Sequence, residues 1–137
     1  MLVLDTDHLS EFDGGGAAGA RLRERLLTTH EPVAATIVSA DEQLRGWLAQ
    51  IHRAHDDAHA QIFASARLQR RLQFYAGWTV LPWDTESADL FLRFRRQSVR
   101  IGSMDLKIAC IVLAHDATLL TRNTTDFARV PGLRFEN

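Results

Sequence analysis

Short apolar segments separated by helical segments are the feature that most constrains the fold of this 137-residue chain. Apolar runs of strand length occur at 2–4, 33–37, 78–81, 118–121 and 133–135. Apolar residues with helical spacing fill the stretches between most of these runs. Strands that alternate with helices predict an α/β fold with a mostly parallel central sheet of four to five strands, flanked by helices.

The spacing of apolar residues also gives approximate bounds for the helices. Helices are predicted at 17–27, 39–55, 57–76, 86–97 and 103–115, with a short helical turn near 125–130. The second and third of these come one after the other without a strand between them, which indicates a helical-hairpin arm. Gly14, Gly15 and Gly16 interrupt the pattern and predict a hinge or loop tip, because they lack the lysine and the spaced second glycine of a phosphate-binding loop.

Composition limits the classes of protein that this chain can belong to. Hydrophobic residues make up 46% and charged residues 24%, as in soluble globular proteins, and the length suits one domain, 1–137. No apolar run is long enough to cross a bilayer, and Asp5 interrupts the place where a signal peptide would continue, so a cytoplasmic protein with no membrane contact is expected. The net charge of -1 is not that of a strongly basic nucleic-acid binder, so any nucleic acid must meet a local basic surface.

Acidic residues follow the predicted strands or begin the predicted helices. Asp5 follows the first strand, Glu42 the second, Asp105 opens an apolar helix, and Asp126 follows the fourth strand. Because parallel strands end at one edge of a sheet, these acids are expected to become neighbours there. Several ionised carboxylates repel one another unless a cation neutralises them, which predicts a Mg²⁺ or Mn²⁺ site formed by these four residues.

Each of these acids also has a purely structural explanation. Asp5 could cap a helix, although Asp7 is the better candidate for that role. Glu42 could complete a capping box with Ser39, and Asp105 could interact with a helix dipole. The location of all of them at one sheet edge favours the metal-binding interpretation.

Three polar residues near these acids are candidates for supporting roles. Thr6 and Thr121 could orient neighbouring carboxylates through their hydroxyl groups. Asn123 could offer a carbonyl ligand, contact a phosphate, or simply form a turn, and either Asn123 or Asp126 could be the fourth ligand.

Other catalytic chemistry has little support in the sequence. Cys110 lies on the apolar face of a predicted helix, and no Gly-x-Ser-x-Gly motif is present. His52, His55 and His59 have helical spacing, but the acids at 56–57 start a new helix there, which indicates a solvated hairpin tip rather than a zinc site.

Four features occur in order along the chain: LVLDTD at 2–7, Glu42 four residues ahead of Gly46, IGSMDLKIA at 101–109 and LTRNTTDF at 120–127. Together they resemble the PIN domain, and most of all the VapC toxins of bacterial type II toxin–antitoxin systems. The segment RVPGL at 129–133 strengthens this resemblance, which extends over essentially the whole chain.

This resemblance implies a three-layer PIN-like fold and an endoribonuclease that depends on Mg²⁺ or Mn²⁺. It also implies a homodimer that cleaves RNA and is inhibited by a cognate antitoxin protein. The acids of the family's site match Asp5, Glu42 and Asp105, with Asp126 at the more variable fourth position. The long polar stretch at 52–61 departs from the family pattern.

Two other functions remain as alternatives. Asp5 and Asp7 resemble the nucleophile segment of haloacid-dehalogenase-like phosphatases, but Leu9 stands where that family has Thr or Val, and Lys107 lies inside a helix. The other alternative is a non-catalytic PIN-like scaffold that binds RNA or protein, against which the complete set of acids argues.

Overall fold

A computed structural model describes all residues, 1–137, and contains one five-stranded sheet. All four strand pairings are parallel, and the strand order is β3-β2-β1-β4-β5. Leu2 pairs with both Val33 and Thr118, so β1 lies at the centre of the sheet. The strands are β1 (Leu2–Leu4), β2 (Val33–Thr36), β3 (Thr79–Leu81), β4 (Thr118–Leu120) and β5 (Arg134–Glu136).

Seven helices complete the fold. The predicted α/β architecture is therefore confirmed, with every strand pair parallel rather than most of them. The helices are α1 (Thr6–Asp13), α2 (Ala17–Thr28), α3 (Ile37–Arg53), α4 (Gln61–Ala76), α5 (Thr85–Arg96), α6 (Ser103–Ala114) and α7 (Thr124–Phe127).

The core explains why these segments form buried strands. All three residues of β1 are buried, and side chains from the two sheet faces belong to two separate apolar clusters. The larger cluster includes Val3 and Leu119 together with six buried residues of α6. Burial on both faces is what a parallel sheet covered by helices requires, and it accounts for the uninterrupted apolar runs in the sequence.

Helices α3 and α4 form the predicted arm, with the connection at residues 54–60. His52, His55 and His59 are exposed at its tip. The helix predicted from 57 begins later, at Gln61, because residues 54–60 form successive turns, with His55 at a positive φ of 49°. No helix in the structure is long and apolar enough to span a bilayer.

Two further features of the local structure differ from the sequence predictions. Helix α1, which immediately follows β1, was not predicted, because it has only eight residues and is mostly polar. Helix α3 begins at Ile37 rather than Ser39, because the Thr36 hydroxyl accepts the Ser39 N–H at 3.2 Å and thereby caps the helix two residues earlier. Ser39 and Glu42 therefore do not form a capping box.

Candidate functional site

Asp5 is buried at the point where β1 passes into α1. Its backbone N–H donates to Leu120 O at 3.2 Å, which ties it to the neighbouring strand. Its carboxylate caps α1 by accepting the His8 N–H at 2.8 Å, and the same oxygen lies 2.9 Å from His8 Nδ1. Asp5, rather than Asp7, is thus the capping residue, in a position that also faces the carboxyl edge of the sheet.

The pKa of Asp5 is lower than usual despite its burial. Burial by itself raises this pKa. Hydrogen bonds from the His8 side chain, the Thr121 hydroxyl and the His8 backbone N–H together lower it by more than burial raises it. Hydrogen bonds to the charged form favour ionisation. Asp5 is therefore a fully charged carboxylate at neutral pH.

Thr121 connects Asp5 to the polar turn after β4. It is fully buried, it hydrogen-bonds Asp5, and its Oγ1 accepts the Asn123 N–H at 3.0 Å. Asn123 caps α7, and its Nδ2 donates to Asp126 Oδ2 at 3.0 Å. The side-chain oxygen Oδ1 of Asn123 also accepts the Asp126 N–H at 3.4 Å. The side chain of Asn123 therefore orients Asp126 in this structure.

Glu42 is half-buried in the second turn of α3. The Thr6 hydroxyl lies 3.3 Å from Glu42 Oε1 and 2.9 Å from Ser39 Oγ, so α1 and α3 meet through these three side chains. Burial raises the pKa of Glu42; the hydrogen bond from Thr6 partly offsets this, and the charges of Asp105, Asp7 and Asp41 raise it further.

Asp105 lies in the first turn of α6, as expected from the sequence. Burial raises its pKa, and repulsion by Asp126, Asp5 and Asp7 raises it further. Asp7 is exposed, yet its charge acts on both Asp105 and Glu42. The acids from four separate chain segments thus lie close enough to oppose each other's ionisation.

The chemistry of these side chains fits a divalent cation, but a binding cage is not preformed. No three His, Cys, Asp or Glu side chains of the chain are arranged to hold a metal ion. All four candidate ligands are carboxylates, which suit hard cations such as Mg²⁺ and Mn²⁺. The raised pKa values of Glu42 and Asp105 express a repulsion that a bound cation would relieve.

The structure adds functional candidates that the sequence did not single out. His8 contacts Asp5 directly, and its position three residues after a helix-capping aspartate was the available signal.

A second group lies behind Glu42, where Gln43 Oε1 accepts from Tyr75 at 2.5 Å and from Arg71 at 3.2 Å. Arg71 also pairs with Asp13. These contacts join α1, α3 and α4, and no sequence pattern marks them.

A known protein resembles part of this chain in sequence. A scan against protein-family models finds no match. The VapC1 ribonuclease of Rickettsia felis is 35% identical over 60 residues, which span 41% of this chain and 45% of that protein. The match therefore covers less than half the length of this curated relative.

Solved structures resemble the whole chain. The VapBC-1 structure from nontypeable Haemophilus influenzae has a TM-score of 0.74 at 18% identity, covering 99% of this chain and 96% of that one. The DNA-bound VapBC2 structure from Rickettsia felis has a TM-score of 0.70 at 19% identity, with 99% and 97% covered. The FitAcB structure from Neisseria gonorrhoeae also has a TM-score of 0.70, at 22% identity, with 100% and 97% covered.

At these identities the structural matches establish the fold, and the local match to a curated VapC ribonuclease points in the same direction. The α/β fold that the resemblance implied is thereby confirmed: this chain shares its fold with chains of these VapBC structures.

Proposed function

We propose that this protein is a metal-dependent endoribonuclease, and that it acts as the toxin of a type II toxin–antitoxin pair. The observation that carries the proposal is the convergence of acids from four chain segments at one sheet edge, where Asp105 and Glu42 have raised pKa values. The ribonuclease name of the curated relative and the VapBC structures support the choice of RNA and of an antitoxin.

Asp5, Glu42 and Asp105 would hold the principal Mg²⁺ or Mn²⁺ ion, and Asp126 would help to hold a second. When bound, such a cation lowers the pKa of water, neutralises the scissile phosphate and stabilises the leaving oxygen. In the overall reaction the water oxygen forms a new P–O bond, the P–O bond to the leaving oxygen breaks, and a proton from the water passes to the leaving oxygen.

The contacts of the protein side chains indicate their roles. His8 and Thr121 keep Asp5 ionised and fix its direction. Thr6 holds Glu42 towards α1, and Asn123 holds Asp126. Such hydrogen bonds fix the ligands before substrate arrives, which reduces the reorganisation needed during the reaction.

Cleavage assays with active-site variants test this proposal. Asp5→Asn and Asp105→Asn should each reduce Mg²⁺-dependent cleavage of RNA by at least ~100-fold, because each removes a charged ligand. Asp89→Asn is the matched control, since Asp89 is exposed on α5 and should leave cleavage unchanged. Chelation of divalent cations should stop the wild-type reaction. Full cleavage by either site variant would refute the assignment, and a wild-type protein that binds RNA without cutting it would support the scaffold alternative.

The phosphatase alternative has less support in the geometry. Lys107, the only lysine, has its Nζ 5.4 Å from the ring centre of Trp83 and 5.9 Å from that of Phe91. A lysine on these two rings does not serve the Asp5 carboxylate as a phosphatase lysine would. Formation of an aspartyl-phosphate at Asp5 would reverse this preference.

We further propose that residues 1–137 act as one PIN domain, that the protein forms a homodimer in the cytoplasm, and that an antitoxin protein binds it. Light scattering of the purified protein tests the dimer, and co-expression with the protein encoded next to its gene tests the partner. A monomer, or a neighbouring product that neither binds nor inhibits, would count against these points.

A further inference from the structure

A groove runs between α3 and α4 and reaches the Glu42 side of the acid cluster. Its volume is about 720 Å³, within the ~300–1,000 Å³ of pockets that enclose drug-sized ligands. Only two of its fourteen lining residues are hydrophobic. Glu42, Trp47, Gln50 and Arg53 line it from α3, whereas Arg67 lines it from α4. From Glu42 to Arg53 the helix extends roughly 16 Å at 1.5 Å per residue.

The groove is positively charged although the chain has a net charge of -1. Four arginines and two carboxylates line it. Arg71 is buried and committed to Asp13, and Arg70 lies 3.8 Å from the same carboxylate. Arg53 and Arg67 are exposed, and neither has a carboxylate partner. Two unpaired guanidinium groups therefore remain to meet an anion in this groove.

An aromatic side chain accompanies these two charges. Trp47 is half-buried in the groove wall and packs edge-on against Phe63, with 5.9 Å between the ring centres. Arg67 lies over the Phe63 ring at 5.2 Å, so Arg67 and Trp47 both contact Phe63, and both line the groove. Aromatic faces and arginines in one groove are the usual means of binding single-stranded nucleic acid, through base stacking and phosphate contacts.

We propose that this groove is the path by which single-stranded RNA reaches the carboxylates, with Arg53 and Arg67 on backbone phosphates and a base stacked on Trp47. This inference rests on the proposed ribonuclease function and names the contacts that select its substrate. A single strand fits because paired bases in a duplex offer no free face to Trp47. Phosphate contacts position the strand, and the path from Trp47 to Glu42 then determines which phosphodiester bond reaches the acids.

Binding measurements with a single-stranded RNA oligonucleotide test the proposal, in an Asp5→Asn background so that the probe stays intact. Arg53→Gln and Arg67→Gln should each weaken binding roughly five-fold at low salt. Each should also reduce the slope of log K against log salt by about 0.7, the value for one phosphate contact on a single strand. Arg21→Gln is the charge-matched control, because Arg21 is exposed on α2 and lies outside the groove.

Tryptophan fluorescence gives an independent measurement. RNA that stacks on Trp47 should quench its emission, so Trp47→Phe should lose most of the quenching, while Trp83→Phe should keep it. Both variants retain an aromatic ring, and thermal melts will show that each is folded. Quenching that survives in Trp47→Phe would refute the stacking contact.

The outcomes separate this inference from the function on which it rests. If the wild-type protein cleaves RNA but the groove variants bind it as tightly as Arg21→Gln does, the groove is not the RNA path and the nuclease proposal stands. If the wild-type protein neither binds nor cleaves RNA, the function itself fails. If Arg53→Gln and Arg67→Gln weaken inhibition by a partner protein but leave RNA affinity unchanged, the groove is a protein-docking site and the RNA assignment is overturned.

Discussion

At the scale of single residues, carboxylates of the same site have opposite pKa shifts. Asp5 is the most buried of the four acids, yet its pKa is lowered, because His8 and Thr121 donate hydrogen bonds to it. Asp105 is less buried, yet its pKa is raised by burial and by its acidic neighbours. The number of hydrogen-bond donors around each carboxylate therefore affects its pKa more than its burial does.

The raised pKa of Asp105 predicts that Asp105→Asn stabilises the metal-free protein at neutral pH. In the folded protein the ionised carboxylate is opposed by burial and by Asp126, Asp5 and Asp7, whereas in the unfolded chain it ionises freely near 3.8. The asparagine variant should gain on the order of 0.5–1 kcal/mol at pH 7, the range for partly exposed charge pairs. The gain should shrink as pH falls through the raised folded pKa, and vanish below 3.8, where both states are protonated.

Thermal melts from pH 7 to pH 3 in the presence of a chelator provide the measurement. Asp89→Asn serves as the control, because it removes one negative charge from an exposed position outside the acid cluster. A melting temperature for Asp105→Asn equal to or below that of the wild type at pH 7 would contradict the repulsion between these acids.

Single residues also mark the limit of what the sequence could predict about the site. Asp5, Glu42, Asp105 and Asp126 were identified because each follows a strand or lies near the start of a helix, and such positions depend only on chain order. The hydrogen bond from Thr121 to Asp5 depends on β4 lying beside β1, and the Gln43–Arg71 contact depends on how α4 folds back on α3. Such contacts join residues far apart in sequence, and no local pattern records them.

At the scale of secondary-structure elements, α1 and α2 approach each other unusually closely at Gly19. A Cβ atom at this position would lie 2.1 Å from the backbone oxygen of Glu11 and 3.1 Å from that of Gly14. Backbone oxygens cannot turn away as a flexible side chain can, so the helices themselves would have to move. Glycine at this position is therefore a packing requirement.

Gly19→Ala should destabilise the protein by about 1–3 kcal/mol, as overpacked interiors do, despite the ~1 kcal/mol that alanine ordinarily adds inside a helix. Gly15→Ala is the matched control, because nothing lies within 4 Å of its Cβ position and its φ is not positive. That substitution should be neutral or stabilising by up to ~1 kcal/mol, through the unfolded chain. Equal urea-unfolding midpoints for the two variants would show that α1 and α2 can separate without loss.

Secondary-structure elements could be predicted where burial requires a run of apolar residues. They were harder to predict where a single capping residue determines the start of a helix. The strands appear as apolar runs because both faces of the sheet are covered. The start of α3 was misplaced because Thr36 and Ser39 are both good capping residues, and only the folded chain shows that the Thr36 hydroxyl accepts the Ser39 N–H. Helix α1 was missed because the apolar residues it buries are few, and Asp5 supplies its cap from the end of a strand.

At the scale of the whole molecule, the strand order determines where the acids meet. The chain passes from β1 outwards to β2 and β3 on one side, and β4 and β5 lie on the other. The direction of winding thus changes at β1, and in open α/β sheets the crevice at such a point is the usual binding site. Asp5 stands at the end of β1, so the topology itself places it at the centre of the cluster. This order could not be read from the chain, since local spacing does not specify which strands pair.

If the sheet edge holds a divalent cation, the stability of the whole molecule must depend on that cation. The acids come from separate segments, so unfolding disperses them and only the folded state binds the ion tightly. At 100 times the dissociation constant, Mg²⁺ or Mn²⁺ should therefore add ~2.7 kcal/mol to the free energy of unfolding. The gain should fall at acid pH, because protons compete for Glu42 and Asp105, whose pKa values are raised. Asp5→Asn should lose most of the gain, and Asp89→Asn should retain it. If neither cation changes the melting temperature of the wild-type protein, these carboxylates repel one another without a metal to neutralise them. The site would then need another explanation.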